Sequence, residues 1–370
     1  MTRIGEPPKC FAKAKILGED ARREPSKICY NITMRINENI LISSLTTMRL
    51  GGLARYVIEI ERPEEVREAY NFARQNNLPV FILGAGANSI GRDEGFNGAI
   101  LINRMRGIYE EKLPSGNVKI KAMGGEPWDA VVEYACSRNL TGIEALSKIP
   151  GLAGAAPVQN IGAYGQEIAD TLTEIEVFDS TNNTIKTLTK SELDFSYRKS
   201  LLNTTEKNRY FVISITLELK EGEMPRPFYN SIENYIAINN LSDYSPKSIR
   251  EIVSKIRADK LPDPKEKPSA GSFFKNIYLT NEEAEIAEEK GYPVYRGKDG
   301  NKINSGWLIE QAGLSGKVLH GIRVNEKASL VLINESAKSY DDLAKARAEI
   351  AGKVYDKFGF WLEQEPVEIK

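Results

Sequence analysis

Short apolar runs alternate with amphipathic stretches along most of the chain, starting near residue 54. Apolar runs of strand length stand at 54–61, 79–84, 98–103 and 118–122. Between and after them, apolar residues recur at helical spacing over 63–77 and 126–140. Pro63 and two following glutamates are typical of the first turn of a helix. The first half of the chain is therefore predicted to alternate strands and helices.

The second half continues this alternation. Strands are predicted at 174–180, 210–220 and 329–336, and helices at 246–260 and 339–359. In the strand of 210–220, four apolar residues are predicted to share one face, namely Ile213, Ile215, Leu217 and Leu219. The helix stripes consist of Ile249, Ile252, Val253 and Ile256 in the first helix, and Leu343, Ala346, Ile350, Val354 and Phe358 in the second. The pattern predicts an α+β protein.

Three regions follow from this pattern. Residues 1–42 mix prolines with charged residues and show no sustained periodicity. Two interpretations stay open for them: a mobile N-terminal extension, or a translation start at Met34. Prolines at 225 and 227 mark a boundary, so we expect one αβ region at 43–222 and a second at 223–370.

Charge and histidine content exclude several classes of function. Lys and Arg number 50 and Asp and Glu 51, a formal net charge of −1, which argues against binding of nucleic acid. His320 is the single histidine, so mechanisms and metal sites that need two imidazoles are excluded, and we expect no metal. Cys10, Cys29 and Cys136 form no CxxC pair, which favours a reduced cytoplasmic protein. No targeting segment or membrane-spanning run is recognisable, so no membrane partner is expected.

Two glycine-rich segments carry the first chemical signals. The loop 84–89 (GAGANS) follows an apolar strand, yet Ser89 breaks the dinucleotide-binding pattern and no P-loop Lys follows. Taken alone, it is better interpreted as a turn than as an anion site. The segment 151–165 is longer and uncharged, and its small residues permit close approach of a ligand. Contact with a ligand is the better interpretation there.

Six segments in register resemble one family. They are IPGLAGAAPVQNIGAYGQE (149–167), FSYRKS (195–200), KLPDPK (260–265), AGSFFKN (270–276), SGWLIEQAGL (305–314) and WLEQE (361–365). Together they resemble UDP-N-acetylenolpyruvoylglucosamine reductase from about residue 44 onward. The resemblance implies an FAD-binding fold of the vanillyl-alcohol-oxidase (PCMH) type at 43–222, formed by two αβ subdomains. It also implies a C-terminal αβ substrate-binding domain at 223–370, whose last residues return to the active site.

The implied activity is the NADPH-dependent reduction of UDP-N-acetylglucosamine enolpyruvate to UDP-N-acetylmuramate in peptidoglycan precursor synthesis. NADPH would reduce FAD, which would pass a hydride from N5 to the substrate. Because the expected flavin-binding region lacks histidine, FAD should be bound non-covalently. The resemblance implies cofactor contacts from Gly84, Ala85, Gly86, Ala87, Asn88, Ser89, Pro150, Gly151, Gly154, Ala155, Gln159, Asn160, Gly162, Ala163 and Tyr164.

Three residues match the family's catalytic set. Arg198 would stabilise charge on the substrate carboxylate, Ser272 would donate the proton, and Glu365 would polarise the carboxylate. The family's LEPEV reads LEQEP here, which leaves Glu363 as an alternative to Glu365. The implied substrate-binding residues are Tyr197, Tyr229, Lys260, Asn276 and Gln311, and Trp307 is expected in the core.

Two other functions stay open. One is an FAD-dependent oxidase or dehydrogenase of the same fold that acts on another small substrate. The other is a non-catalytic protein that binds nucleotide sugars. We expect a monomer or weak oligomer.

Overall fold

A four-stranded sheet with one helix forms the first layer of the fold. The computed structural model describes residues 34–297 and 300–370. The first elements are β1 (Arg35–Leu41), β2 (Leu53–Ile60), α1 (Pro63–Gln75), β3 (Val80–Leu83), β4 (Ser89–Gly91) and β5 (Phe96–Asn103). The strands β1, β2, β5 and β3 lie side by side in that order, and both β2 and β3 run parallel to β5. All the strands and the helix predicted for this layer are present.

The strand β1 departs from the expected N-terminal extension of 1–42. It pairs antiparallel with β2 along the edge of the sheet, and no residue of β1 is fully buried. An edge strand of this kind needs little apolar sequence, which explains why its pattern of hydrophobic residues gives no strand signal. The part of the expected extension at 1–33 lies outside the described residues, and the start at Met34 stays a prediction.

A mixed region of antiparallel strands follows. Its elements are β6 (Ile108–Lys112), β7 (Val118–Met123), α2 (Trp128–Ser137), β8 (Leu140–Thr141), β9 (Gly162–Ala163), β10 (Gln166–Glu167), α3 (Ile168–Thr171), β11 (Leu172–Asp179), β12 (Thr184–Thr189) and β13 (Tyr210–Glu221). The sheet has the order β12, β11, β13, β7, β6, with β8 against the end of β13. The apolar side of α2 packs on this sheet and is buried, as its periodicity predicts.

A β-bulge in β13 changes which residues of this strand face the core. The neighbouring strand pairs Glu176 with Ser214 and Val177 with Val212, so Ile213 is the additional residue of the bulge. Val212 therefore joins the core under α2 together with the next three odd-numbered apolar residues. The prediction that Ile213 shares their face is wrong, because a strict period of two cannot be kept through a bulge.

A helical hairpin connects the two halves of the chain. It consists of α4 (Asn230–Asn239) and α5 (Pro246–Lys260), and the predicted stripe of α5 is buried against α4. Arg250 of α5 forms an ion pair with Asp129 of α2, with a closest N–O distance of 2.6 Å. The hairpin thus packs on the region before residue 222, although the sequence boundary at 222/223 assigns it to the later region.

The C-terminal region contains two small sheets and three helices. Its elements are β14 (Ser269–Ser272), β15 (Ile277–Leu279), α6 (Asn281–Glu289), β16 (Val294–Gly297), β17 (Gly300–Ile303), α7 (Ser305–Gln311), β18 (Val318–Leu319), β19 (Ile322–Val324), β20 (Val331–Asn334), α8 (Tyr340–Phe358) and β21 (Val367–Ile369). One sheet has the order β14, β20, β19, β18, and the other β15, β17, β16. The predicted stripe of α8 faces the core.

The last strand returns to the first layer. β21 pairs in parallel with β4, placing Val367 opposite Ser89. Residues next to Glu365 are thereby brought to the glycine-rich loop between β3 and β4. Among the described helices, none is both long and apolar enough to cross a membrane.

Candidate active site

A cavity of about 1520 Å³ lies where these regions meet. It is lined by the loop 84–89, by most of the segment 148–164, by the end of α5, by β14 and by residues 364–367. Pockets for one small ligand commonly measure about 300–1,000 Å³. The cavity therefore has room for more than one ligand.

Close packing of backbone shapes the loop 84–89. A Cβ atom on Gly86 would lie 2.0 Å from the carbonyl oxygen of Leu45, and the φ of Gly86 is +68°. A Cβ on Gly84 would lie 2.9 Å from Cβ of Ala155 in the second glycine-rich segment. Gly84 thus lets the two glycine-rich segments approach closely, and Gly86 lets the loop pack against the backbone of Leu45 and Thr46.

The second glycine-rich segment forms the facing wall. The Asn88 side-chain amide donates a hydrogen bond to Oε1 of Gln159 and so joins the two walls. Gly151 has a φ of +157°, and a Cβ there would meet nothing within 4 Å. This wall is open where a flat ligand would rest against it.

Fourteen of the fifteen cofactor residues named from the resemblance line the cavity, and Asn160 does not. The Asn160 side chain is buried, donates to Glu167 at 2.7 Å, and accepts from the backbone N–H of Ala169 at 3.2 Å. Its amide holds the hairpin of β9 and β10 in place. The Asn160 side chain is thus hydrogen-bonded within the protein and does not line the cavity.

Arg198 enters the cavity from a tight turn. Its φ of +56° lies in the left-handed region, and the Asn203 side chain donates a hydrogen bond to its carbonyl oxygen at 3.0 Å. The guanidinium donates from Nη2 to the carbonyl of Gly162 at 3.2 Å. Nε lies 3.0 Å from Oε1 of Glu365, but its N–H is poorly aligned with that oxygen. The contact is an ion pair that leaves donor capacity for a ligand.

Glu365 is the acidic partner of Arg198. Only 8% of its side chain is exposed. Burial raises the pKa of Glu365, while the positive charges of Arg198 and Lys275 offset part of that rise. Its carboxyl group is therefore easier to protonate than an ordinary glutamate and can act as a hydrogen-bond donor.

Ser272 stands beside the segment of Glu365. It ends β14 and pairs with Val331 of β20. The N–H of Glu365 donates to the carbonyl of Phe273 at 2.9 Å, which runs the two segments side by side. Arg198, Ser272 and Glu365, from three distant parts of the chain, all line the same cavity.

The alternative carboxylate lies elsewhere. The Glu363 side chain is 72% exposed and forms an ion pair with Lys275 at the surface. The two side chains therefore have different environments, an exposed one for Glu363 and a buried one for Glu365. Of the two, the structure brings Glu365 into the cavity.

Two of the five expected substrate residues, Tyr229 and Lys260, line the cavity. Tyr197 packs against the Tyr278 ring, with a centroid distance of 4.8 Å. Asn276 accepts a hydrogen bond from the backbone N–H of Ser305 at 3.2 Å. Gln311 is exposed at the end of α7. The structure does not bring these last three residues to the cavity, because the first packs behind Arg198 and the others lie around α7. Trp307 packs at the edge of the C-terminal core, as expected.

Cations that the sequence interpretation missed also line the cavity. Arg257 lies near the end of α5 beside the Tyr164 hydroxyl, and burial lowers the pKa of its guanidinium. No carboxylate lies within ion-pair distance of Arg257 among residues 34–297 and 300–370. Lys255 and Lys275 line the same space. The sequence did contain a signal for Lys275, because it stands inside the motif AGSFFKN. It contained none for Arg257 and Lys255, because cations near the end of a helix usually face solvent.

Hydrogen bonds accommodate the sequence LEQEP, which differs from the family's LEPEV at residues 364 and 366. The Gln364 side chain donates to the carbonyl of Pro366 at 2.7 Å and accepts from Arg347 at 2.5 Å. Two residues further on, Glu368 accepts from Arg92 at 2.7 Å, from Arg347 at 3.1 Å and from the Tyr340 hydroxyl at 2.5 Å. Hydrogen bonds therefore hold the segment that carries Glu365 both before it, at Gln364, and after it, at Glu368.

Glu368→Gln is expected to remove a pH-dependent part of the stability. Burial raises the pKa of Glu368, but hydrogen bonds from Tyr340, Arg92 and Arg347 bring it down to about 2. The stabilisation is therefore complete above about pH 4.5 and is lost as the pH falls towards 2. With solvent screening it amounts to about 1–2 kcal/mol. Urea unfolding should show Glu368→Gln less stable by this amount at pH 7, with the difference shrinking towards pH 3.

The control for this prediction is Glu335→Gln, which removes an exposed carboxylate paired with Arg323. It should change the free energy of unfolding little at either pH. A difference between wild type and Glu368→Gln that stays constant from pH 7 to pH 3 would contradict the prediction.

Comparison with known proteins shows what the chain is related to. Residues 54–189 match the FAD binding domain, and residues 263–369 match the C-terminal domain of UDP-N-acetylenolpyruvoylglucosamine reductase. The chain is 34% identical over 322 residues to the UDP-N-acetylenolpyruvoylglucosamine reductase of Pasteurella multocida, covering 86% of this chain and 93% of that protein. It is 33% identical over 338 residues to the reductase of Bdellovibrio bacteriovorus, covering 90% and 99%. The chain belongs to the UDP-N-acetylenolpyruvoylglucosamine reductase family.

A solved member shows the same fold. The crystal structure of the reductase from Thermus caldophilus superposes with a TM-score of 0.64 at 24% identity, covering 91% of this chain and all of that one. The resemblance and the fold class, an α+β FAD-binding fold with a C-terminal αβ domain, are confirmed. The chain is an oxidoreductase of a family that serves peptidoglycan precursor synthesis, and it carries an FAD-binding domain.

The cavity fits FAD. Residues 54–189, the match to the FAD binding domain, include both glycine-rich walls. The glycine-containing loop 84–89 lines the cavity, and backbone N–H groups of such loops bind a diphosphate well. The open wall at Gly151 suits a flat ring. The remaining space, which contains Arg198, Ser272 and Glu365, is left for a second ligand.

Proposed function

We propose that this protein reduces UDP-N-acetylglucosamine enolpyruvate to UDP-N-acetylmuramate, using NADPH and non-covalently bound FAD. One observation carries the proposal: an arginine, a serine and a buried glutamate meet in a single cavity beside the two glycine-rich walls. These groups suit the reduction of a carbon–carbon double bond conjugated to a carboxylate. Bound between the walls, FAD would take a hydride from NADPH and supply it to the terminal carbon of that bond.

Arg198 has the task of holding the substrate carboxylate. Addition of hydride pushes electron density onto that carboxylate, and a fixed cation stabilises the added charge. The planar guanidinium can present two N–H donors to a carboxylate, which the ammonium of a lysine cannot do in the same geometry. The hydrogen bond to Gly162 and the one that Asn203 donates to its carbonyl oxygen hold Arg198 in place before substrate arrives.

Glu365 has the task of polarising the same group. Burial raises the pKa of Glu365, so its carboxyl takes up a proton more readily than that of an ordinary glutamate, and a protonated carboxyl can donate a hydrogen bond to the substrate carboxylate. The ion pair with Arg198 keeps both groups pointed at one place. The pair thus prepares the site for an anionic carboxylate.

Ser272 has the task of delivering the proton. After hydride addition the inner carbon carries excess electron density, so even a weakly acidic hydroxyl can transfer a proton to it. The position of Ser272 at the end of β14, next to the Glu365 segment, supports this role. The hydroxyl regains its proton from solvent once product leaves.

The cavity cations match an anionic nucleotide substrate. Arg257 lies beside the Tyr164 hydroxyl and forms no ion pair with a carboxylate of the described residues, so its charge is available to a phosphate. Lys260 and Lys255 stand on the same turns of α5. We propose that these three residues bind a diphosphate group, which the substrate and NADPH both contain.

Arg257→Met should weaken the binding of these anionic ligands. Removal of one charge-assisted hydrogen bond costs about 1.5–3 kcal/mol, so we expect KM for the enolpyruvyl substrate to rise at least about 10-fold with a much smaller change in kcat. Steady-state kinetics would measure both constants. Lys247→Met, at the exposed start of the same helix, serves as the control and should leave KM unchanged. A normal KM in Arg257→Met would remove Arg257 from this assignment.

The proposed function is tested by the visible spectrum of the purified protein. We expect a yellow protein whose flavin absorbance is bleached by NADPH and restored by the enolpyruvyl sugar nucleotide under anaerobic conditions. Bleaching by another small substrate without NADPH would instead favour an oxidase or dehydrogenase. A colourless protein that cannot be reconstituted with FAD would favour a non-catalytic nucleotide-sugar-binding protein.

The proposal includes a cytoplasmic location and a monomer or weak oligomer. Arg198, Ser272 and Glu365 come from one chain, which is what a monomer needs to complete the site.

A further inference from the structure

The side chains on either side of Glu365 are held by a single residue of α8. Nη1 of Arg347 lies 2.5 Å from Oε1 of Gln364 and 3.1 Å from Oε1 of Glu368. These two residues stand just before and three positions after Glu365. Arg347 therefore spans the short segment that carries the buried carboxyl group.

Further contacts fix this segment in the fold. Phe274 pairs with Gln364, and Glu365 donates its N–H to Phe273, so one side is attached to the continuation of β14. On the other side, Val367 donates its N–H to the carbonyl of Asn88 in the first glycine-rich wall. Between these backbone contacts, two side chains of α8 join the segment: Tyr340 donates to Glu368, and Arg347 donates to both Gln364 and Glu368.

We propose that Arg347 is a positioning residue that, through Gln364 and Glu368, holds the Glu365 carboxyl in place against Arg198. This inference rests on the proposed function insofar as it assigns Glu365 to the substrate carboxylate. Arg347 does not line the cavity in the described residues. Its influence on the reaction would therefore pass through Glu365, and loss of Arg347 should matter only while Glu365 is present.

The test measures how fast the enolpyruvyl sugar nucleotide reoxidises the FAD-loaded, NADPH-reduced protein. Arg347→Met should slow this step about 10-fold, the usual cost of losing an outer residue that orients a reacting one. The same change in a Glu365→Gln background should slow it no further. Equal losses in both backgrounds would mean a general structural role and would overturn the inference.

Two further measurements make the test independent of any one variant. Gln364→Leu removes the hydrogen bond between Arg347 and Gln364 and leaves the ion pair of Arg347 with Glu368. It should therefore also slow reoxidation only while Glu365 is present. Arg323→Met is the matched control: Arg323 has a side-chain exposure of 35% against 32% for Arg347, and it also pairs with a glutamate. This control should react at the wild-type rate.

Amide hydrogen exchange separates failure of the inference from failure of the proposed function. In the FAD-loaded protein, residues 363–369 should exchange faster in Arg347→Met than in wild type or Arg323→Met. Unchanged exchange would overturn the inference even if the enzyme is active. A wild-type protein that does not react with the enolpyruvyl substrate would refute the proposed function, while exchange would still decide whether Arg347 holds the segment.

Discussion

Ser272→Ala is expected to slow reoxidation of the reduced flavin by the enolpyruvyl substrate by about 10²–10⁴-fold, the range supplied by a positioned proton donor. The alanine lacks the O–H group but leaves the backbone pairing of β14 with β20 intact. Reduction of the flavin by NADPH needs no proton from Ser272 and should keep its rate. Stopped-flow absorbance, which follows each half of the reaction separately, is the measurement.

Two variants sharpen this test. Ser254→Ala also removes a hydroxyl from the cavity wall, one that donates to the carbonyl of Arg250 at 2.7 Å, and it should leave both halves of the reaction unchanged. Ser272→Cys keeps an acidic hydrogen and should recover part of the lost rate. Near-normal reoxidation in Ser272→Ala would show that the proton comes from another group.

Arg198→Met should slow the same half of the reaction by about 10²–10³-fold, as expected when a charge-stabilising donor is lost. The variant also leaves Glu365 buried without its cationic partner, which favours the neutral carboxyl still further. Binding of the substrate carboxylate should weaken as well, so KM should rise together with the fall in kcat. Flavin reduction by NADPH is again the unaffected reference.

Arg198→Lys and Lys199→Met complete that test. A lysine restores the charge but cannot present the planar pair of donors, so only part of the activity should return. Lys199 is an exposed cation next in the chain, and its loss should have no effect. The φ of +56° at position 198 strains methionine and arginine alike, so backbone strain does not distinguish these variants. Wild-type reoxidation in Arg198→Met would exclude Arg198 from the reaction.

The fold was predictable wherever burial imposes a period on the sequence. The helices α5 and α8 have one buried face and long stripes, so their sequence alone locates them. The strand β1 lies at a sheet edge and has no face that must be buried, which is why its composition indicated an extension and not a strand. The bulge at Ile213 arises from pairing with β11, a partner that the periodicity of β13 does not reveal.

The candidate site was predictable only as a set of segments. The motifs in register predicted that Arg198, Ser272 and Glu365 share one site, although the first and the last are 167 positions apart in the sequence. The motifs do not predict which of their polar side chains face the cavity. Asn160 turns inward to satisfy backbone, whereas Arg257, outside the assigned set, faces the ligand space.

The pairing of β21 with β4 has a consequence for biosynthesis. Val367 meets Ser89, so the glycine-rich wall made early in translation waits for a partner made near the end. A nascent chain that has not reached β21 can fold its early layers but cannot place Glu365. Reducing activity should therefore appear only after residues 364–369 have been synthesised and β21 has paired with β4.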